Sequence, residues 1–192
     1  CSRLVAAMLR ASGHRGVGNT STDGIFVDGT LVDAGDWAGA GGARELVRRP
    51  DVQFGVLETA RGGLLRRGMG VFECDAALIT NVDRDHMGDY GVYDLAAMAE
   101  AKGAITHAVH RDGAVVMCAD SQALVEWAEA RTFEPRLIWY SVDGRNPVLD
   151  AHATAGGEVW TAEDGYLVRR VGLEQCRLLP LHEIPITIGG TA

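Results

Sequence analysis

Two short apolar runs, each passing into polar residues, organise the middle of the chain. Phe54-Gly55-Val56-Leu57 leads into Glu58-Thr59-Ala60-Arg61-Gly62-Gly63. Ala76-Ala77-Leu78-Ile79 leads into Thr80-Asn81-Val82-Asp83-Arg84-Asp85-His86. Runs of this length without alternation suit strands covered on both faces, as in a parallel sheet. Open parallel sheets bind ligands beyond the carboxyl ends of their strands, so this reading gathers Glu58, Asn81 and His86 on one rim. A carboxylate, an amide and an imidazole together suit a metal–phosphate site.

The rest of the pattern fits around these runs. Leu4, Val5, Met8 and Leu9 share one helical face, and Ser12-Gly13 ends that helix. Gly16 to Gly18 reads as a stub of strand. Gly18-Asn19-Thr20-Ser21-Thr22-Asp23-Gly24 then reads as a hydroxyl-rich loop, either a plain turn or a ligand-facing one. Ile25-Phe26-Val27 and Thr30-Leu31-Val32 flank Asp28-Gly29, a strong hairpin signal. A mobile glycine-rich segment, Gly35 to Gly42, carries Trp37, and a short helix covers Ala43 to Arg49 up to Pro50. Arg61, Gly62, Gly63, Arg66 and Arg67 read as loop. Tyr93 or Asp94 opens a long helix to about Val109. Ala114 to Met117 is a third apolar run, Ser121 to Arg131 a helix, and Leu137 to Tyr140 a fourth strand. This alternation predicts an α/β fold with a mostly parallel, doubly wound sheet over residues 1–150. From about Asp150 short alternating runs replace helices. Asp164-Gly165 joins two of them, and Arg177 to Ile188 reads as extended. Residues 151–192 are therefore expected as a small antiparallel β extension of the same domain.

Composition narrows the function. The net charge is -8 and no Lys/Arg cluster stands out, which argues against a nucleic-acid groove. The four cysteines are scattered without a C-x-x-C, so free thiols in a reducing cytoplasm are the default. No apolar run approaches a membrane span and no signal peptide is visible.

Three residues carry candidate chemistry. Lys102 falls in the stripe Leu95, Met98, Ile105 and Val109, which puts it on the inward face of its helix. One reading is a lysine snorkelling at the stripe's edge. The other is a desolvated amine with a depressed pKa, able to act as a base or to combine with carbon dioxide as a carbamate. Glu58 is either a solvated turn carboxylate or, with His86, a holder of Mg2+ against a phosphate. His86 is either a surface histidine or a ligand oriented by Asp83 or Asp85. His107 and His110 read as structural or solvated. No G-x-x-x-x-G-K-[ST] phosphate loop occurs in the chain.

L-E-T-A-R-G-G, T-N-V-D-R-D-H and A-E-A-K-G-A-I, in this order, resemble the central ATPase domain of the Mur ligase superfamily, in its cyanophycin-synthesising branch. T-S-T-D-G-I adds to the likeness, which runs from Leu4 to the end of the chain. Val115-Val116-Met117-Cys118-Ala119-Asp120 is similar to the family's V-V-x-N-A-D, with Cys118 in place of the usual Asn. The resemblance implies ATP and Mg2+ as cofactors, with Glu58, His86 and a carbamylated Lys102 as catalytic and metal-binding residues. It places Thr22, Asp23, Thr59, Arg61 and Asn81 near substrate or phosphate. It implies an ATP-dependent amide ligase that makes an acyl phosphate and joins an amino acid, arginine to aspartate side chains in this branch. The partners it implies are a nucleotide and an amino-acid or polypeptide substrate, without nucleic acid or membrane. It is compatible with a homo-oligomer. The family's phosphate loop would precede Cys1, and its adenine segment would follow Gly189-Gly190. The chain is thus expected to be an internal fragment, inactive alone. A metal-dependent hydrolase and a non-catalytic interaction domain are the alternatives.

Overall fold

The computed structural model describes residues 1–84 and 87–184. It divides into two compact units, Cys1–Phe72 and Glu73–Ala192.

The first unit is built on a four-stranded sheet of β1 (Val17–Ser21), β2 (Gly24–Val27), β3 (Thr30–Ala34) and β4 (Phe54–Val56), in the order β3-β2-β1-β4. β1 is antiparallel to β2 and parallel to β4. All five residues of β1 are buried, polar ones included. The hydroxyl-rich stretch is therefore mostly strand and not loop; only Thr22 and Asp23 make the turn. The reason is position: β1 lies between two partners, so its backbone groups are paired in the sheet, while Ser21 Oγ donates to the Gly24 carbonyl and Thr20 Oγ1 accepts the Glu58 N–H. The Asp28-Gly29 hairpin forms as expected, with φ of 47° and 84°, the left-handed values that a two-residue turn of this kind needs. The Asp28 carboxylate accepts the Val17 and Gly16 N–H groups at 2.9 and 3.1 Å. Those two bonds, Val17 first, hold its pKa below the ordinary value.

Helix α1 (Ser2–Ala11) forms where the periodicity puts it, but the buried residues are Ser2 and Ala6. Leu4, Val5 and Met8 are exposed. Small side chains permit close approach to the sheet, and the bulkier stripe is left outside. Helix α2 (Ala40–Val47) begins inside the glycine-rich segment, ahead of the expected Ala43. A Cβ on Gly42 would stand 2.1 Å from the Trp37 carbonyl oxygen, so only glycine fits there. Arg61–Arg67, expected as loop, is helix α3. Gly62 and Gly63 hid it, being poor helix formers. The helix is anchored by Ala60 N–H on the Ala38 carbonyl at 3.2 Å.

The second unit holds a six-stranded sheet: β5 (Cys74–Ile79), β6 (Val109–Cys118), β7 (Arg136–Ser141), β8 (Glu158–Glu163), β9 (Tyr166–Val171) and β10 (Glu174–Pro180). Their spatial order is β10-β9-β8-β7-β6-β5. β5 to β8 are parallel, and β8 to β10 continue the same sheet antiparallel. This is the expected α/β class, a parallel sheet with an antiparallel extension. Helices α4 (Leu95–Gly103), α5 (Gln122–Glu129) and α6 (Pro147–Thr154) complete it. The core is Val115, Met117, Leu124, Trp139, Leu149 and Val159, with Met98 and Ala99 from α4.

α4 is shorter than expected and passes into a 3-10 helix, Ala104–Ala108. A Cβ on Gly103 would lie 2.2 Å from the Trp127 ring, so α5 packs directly on that glycine. α6 was not expected at all, although Asn146 caps it by accepting Val148 N–H at 3.0 Å and Pro147 opens it.

The two organising runs end different sheets. β4 is the edge strand of the first and β5 of the second, and both are only partly buried. The expectation of one sheet rim, with strands covered on both faces, is corrected accordingly. His86, Asp85 and Gly189-Gly190 lie outside the described residues.

Candidate functional site

Glu58 sits two residues beyond β4 and is half-buried. Two hydroxyls fix it. Thr20 Oγ1, on β1, accepts the Glu58 N–H at 3.0 Å. Ser2 Oγ, in the first turn of α1, donates to Glu58 Oε2 at 3.1 Å. Ser2 and Thr20 are both buried. The chemistry of this cluster, a carboxylate among hydroxyl oxygens, suits a hard cation such as Mg2+, which takes oxygen ligands and commonly only one or two carboxylates. The sequence reading missed Ser2 and Thr20 because partners 56 and 38 residues distant leave no local signal.

The other residues expected in this neighbourhood are more open. Thr59 is exposed, and Arg61 is the half-buried first residue of α3. Thr22 is exposed in its turn. Asp23 is paired with Arg3 at 3.1 Å.

In the second unit, Lys102 is half-buried near the end of α4. Its stripe neighbours Met98 and Val109 are buried, and Leu95 and Ile105 half-buried. Lys102 Nζ donates to the Asn81 carbonyl at 2.8 Å, which ties the helix to the polar end of β5. The Asn81 amide is exposed, and its Oδ1 accepts Thr80 Oγ1 at 3.4 Å. Val82 is held from both sides by Ser121, whose Oγ accepts its N–H at 3.3 Å and donates to its carbonyl at 3.1 Å. A cleft of about 330 Å³ opens here, lined by Asn81, Asp83, Leu95, Cys118, Asp120 and Gln122 among others. His107 is exposed, and His110 meets Asp75 at 3.1 Å. Among the described residues no three His, Cys, Asp or Glu side chains gather as a metal site.

Asp120 organises the end of β7. Its carboxylate accepts Ser141 Oγ at 2.5 Å, Val142 N–H at 3.1 Å and Asn146 Nδ2 at 3.1 Å. Burial pushes its pKa up, but these donors outweigh it and leave the value below the ordinary one. Tyr140 next to it donates to the Thr80 carbonyl at 2.5 Å. Burial, first, and the neighbouring Cys118 push the Tyr140 phenol well above its usual range.

The chain resembles known proteins over its whole length. It is 34% identical over 191 residues to the cyanophycin synthetases of Crocosphaera subtropica, Geminocystis herdmanii and a Synechocystis strain, covering 100% of this chain in each case. It spans only 22% of the length of each of them. A solved UDP-N-acetylmuramoyl-L-alanyl-D-glutamate–2,6-diaminopimelate ligase superposes with a TM-score of 0.64 over 93% of this chain and 36% of its own, at 18% identity. At that identity the likeness concerns the fold. No helix among the described residues is long and apolar enough to cross a membrane. The family model for the Mur ligase middle domain matches residues 2–168, and the chain belongs to that family.

Proposed function

We propose that this chain is the ATP-handling part of an amide ligase that joins an amino acid to a carboxylate, arginine to aspartate side chains. The reading is supported by the 34% identity to cyanophycin synthetases across the whole chain. The structural observation that carries it is Glu58, held at a strand end by hydroxyls from α1 and β1. In the reaction, an oxygen of the substrate carboxylate attacks the γ-phosphorus of ATP, forming an acyl phosphate and releasing ADP. The amine of the second substrate adds to the acyl carbon, loses a proton, and phosphate departs. Bound Mg2+ would supply charge neutralisation on the phosphates.

Glu58 and His86 are the proposed magnesium ligands. Lys102 is proposed as a second anionic ligand after its neutral amine adds to carbon dioxide, giving a carbamate and releasing a proton. The Asn81 carbonyl, which receives Lys102 Nζ, could still accept the one N–H that a carbamate nitrogen keeps. Thr22, Asp23, Thr59, Arg61 and Asn81 are proposed to lie toward phosphate or substrate. An ATP-consuming ligase of this kind works in the cytoplasm, and a homo-oligomer is compatible with it.

The test is phosphate release by the whole protein, with ATP, arginine and an aspartate polymer supplied singly and together. Release that needs all three is expected. Release indifferent to amine and polymer would contradict the reading.

A further inference from the structure

We infer that Ser2 and Thr20 are positioning residues, which together aim the Glu58 carboxylate at a divalent cation. This deepens the proposed function and rests on Glu58 being a metal ligand.

A glutamate on a loop has several free torsions, and a metal ligand that must first be ordered binds weakly. Here both ends of the residue are tied. The backbone N–H of Glu58 is held by Thr20 Oγ1, whose residue is fully buried in the central strand. The carboxylate is held through Oε2 by Ser2 Oγ. Ser2 thus fixes one of the two carboxylate oxygens, and a cation would take the other.

Ser2 is the first residue of α1, just after the N-cap position Cys1, and its hydroxyl reaches across to Glu58. The tie thus joins a helix and a loop 56 residues apart in sequence. Both hydroxyls come from regular elements, which hold a side chain more closely than a loop can. Groups that orient a metal ligand without touching the metal typically affect affinity about 10–100-fold.

The experiment is a titration of the whole protein with Mn2+ in the presence of a non-hydrolysable ATP analogue, followed by electron paramagnetic resonance. The variants are Ser2→Ala, Ser2→Thr, Thr20→Val, Thr20→Ser and Glu58→Gln, with a thermal melt on each. Ser2→Ala and Thr20→Val are expected to weaken Mn2+ binding by about tenfold. Ser2→Thr and Thr20→Ser, which keep the hydroxyls, should restore most of it. The melting temperature should not follow this order. Wild-type Mn2+ affinity in both hydroxyl-less variants, with binding lost in Glu58→Gln, would overturn the positioning role and leave Glu58 standing. A loss in the hydroxyl-less variants that tracks their melting temperatures and is not restored by the conservative variants would overturn it too. Unchanged binding in Glu58→Gln would overturn both.

Discussion

At the scale of single residues, Lys102 gives the sharpest chemical prediction. A carbamate needs a primary amine that can lose its proton, and arginine stays charged. Lys102→Arg in the whole protein should therefore abolish ligase turnover while keeping a donor toward the Asn81 carbonyl. Turnover in Lys102→Ala should be partly restored by a short-chain carboxylate. An active Lys102→Arg protein would refute the carbamate. Asp120 gives a prediction about stability. Its lowered pKa means that it stabilises the fold above the ordinary carboxylate pKa, about 4, and that this contribution fades as pH falls through the lower folded value. Asp120→Asn should cost on the order of 1 kcal/mol at neutral pH, after allowance for solvent screening. The gap to wild type should close below about pH 4. Denaturant melts at neutral pH and at about pH 3 check this; a gap that stays constant would exclude Asp120 as its source.

At the scale of elements, the contacts that matter are close approaches no local pattern announces. Gly103 lets α5 lie against α4 with the Trp127 ring over its Cα. Trp127 is also held by its Nε1, which donates to Glu100 at 2.9 Å, and by the Arg131 guanidinium 4.3 Å from its ring centre. It has little room to yield. Gly103→Ala should destabilise the protein by about 1–3 kcal/mol, the usual range for overpacking, despite alanine's better helix propensity. A melting temperature equal to or above wild type would show that the ring can move.

The same principle explains which elements the sequence made legible. β2, β3, β8 and β9 were read from Asp-Gly turns, whose backbone demands are local. β6 and β7 were read from apolar runs that do lie inside their sheet. α6 was missed because its signal, Asn146-Pro147, is two residues long and its buried face is only Leu149 and Ala153. The α1 stripe misled, since the helix buries Ser2 and Ala6. β1 misled because its polar residues are covered by α1 and α2, which no local pattern announces. The candidate site shows the same division. Glu58, Asn81 and Lys102 stood out as candidates from their places after strands or on a helix stripe. Ser2 and Thr20 act over a long sequence separation, and Asp120 through loop donors, so none of the three showed beforehand.

At the scale of the whole molecule, Glu58 belongs to the first unit, and Asn81 and Lys102 to the second. The chain is acidic, with a net charge of -8, and the proposed co-substrate is a polyanion. Binding must then come from local groups and a cation, not from the overall field. Affinity for the ATP analogue should accordingly depend on divalent cation far more than on ionic strength. The central claim is that Glu58 holds that cation. It is tested most directly by anomalous scattering from crystals of the whole protein grown with Mn2+ and a non-hydrolysable ATP analogue. A manganese peak is expected about 2.0–2.2 Å from a Glu58 carboxylate oxygen, with Ser2 Oγ still on the other oxygen. A nucleotide-bound structure with its manganese elsewhere, and Glu58 bonded only to Ser2 and Thr20, would contradict it.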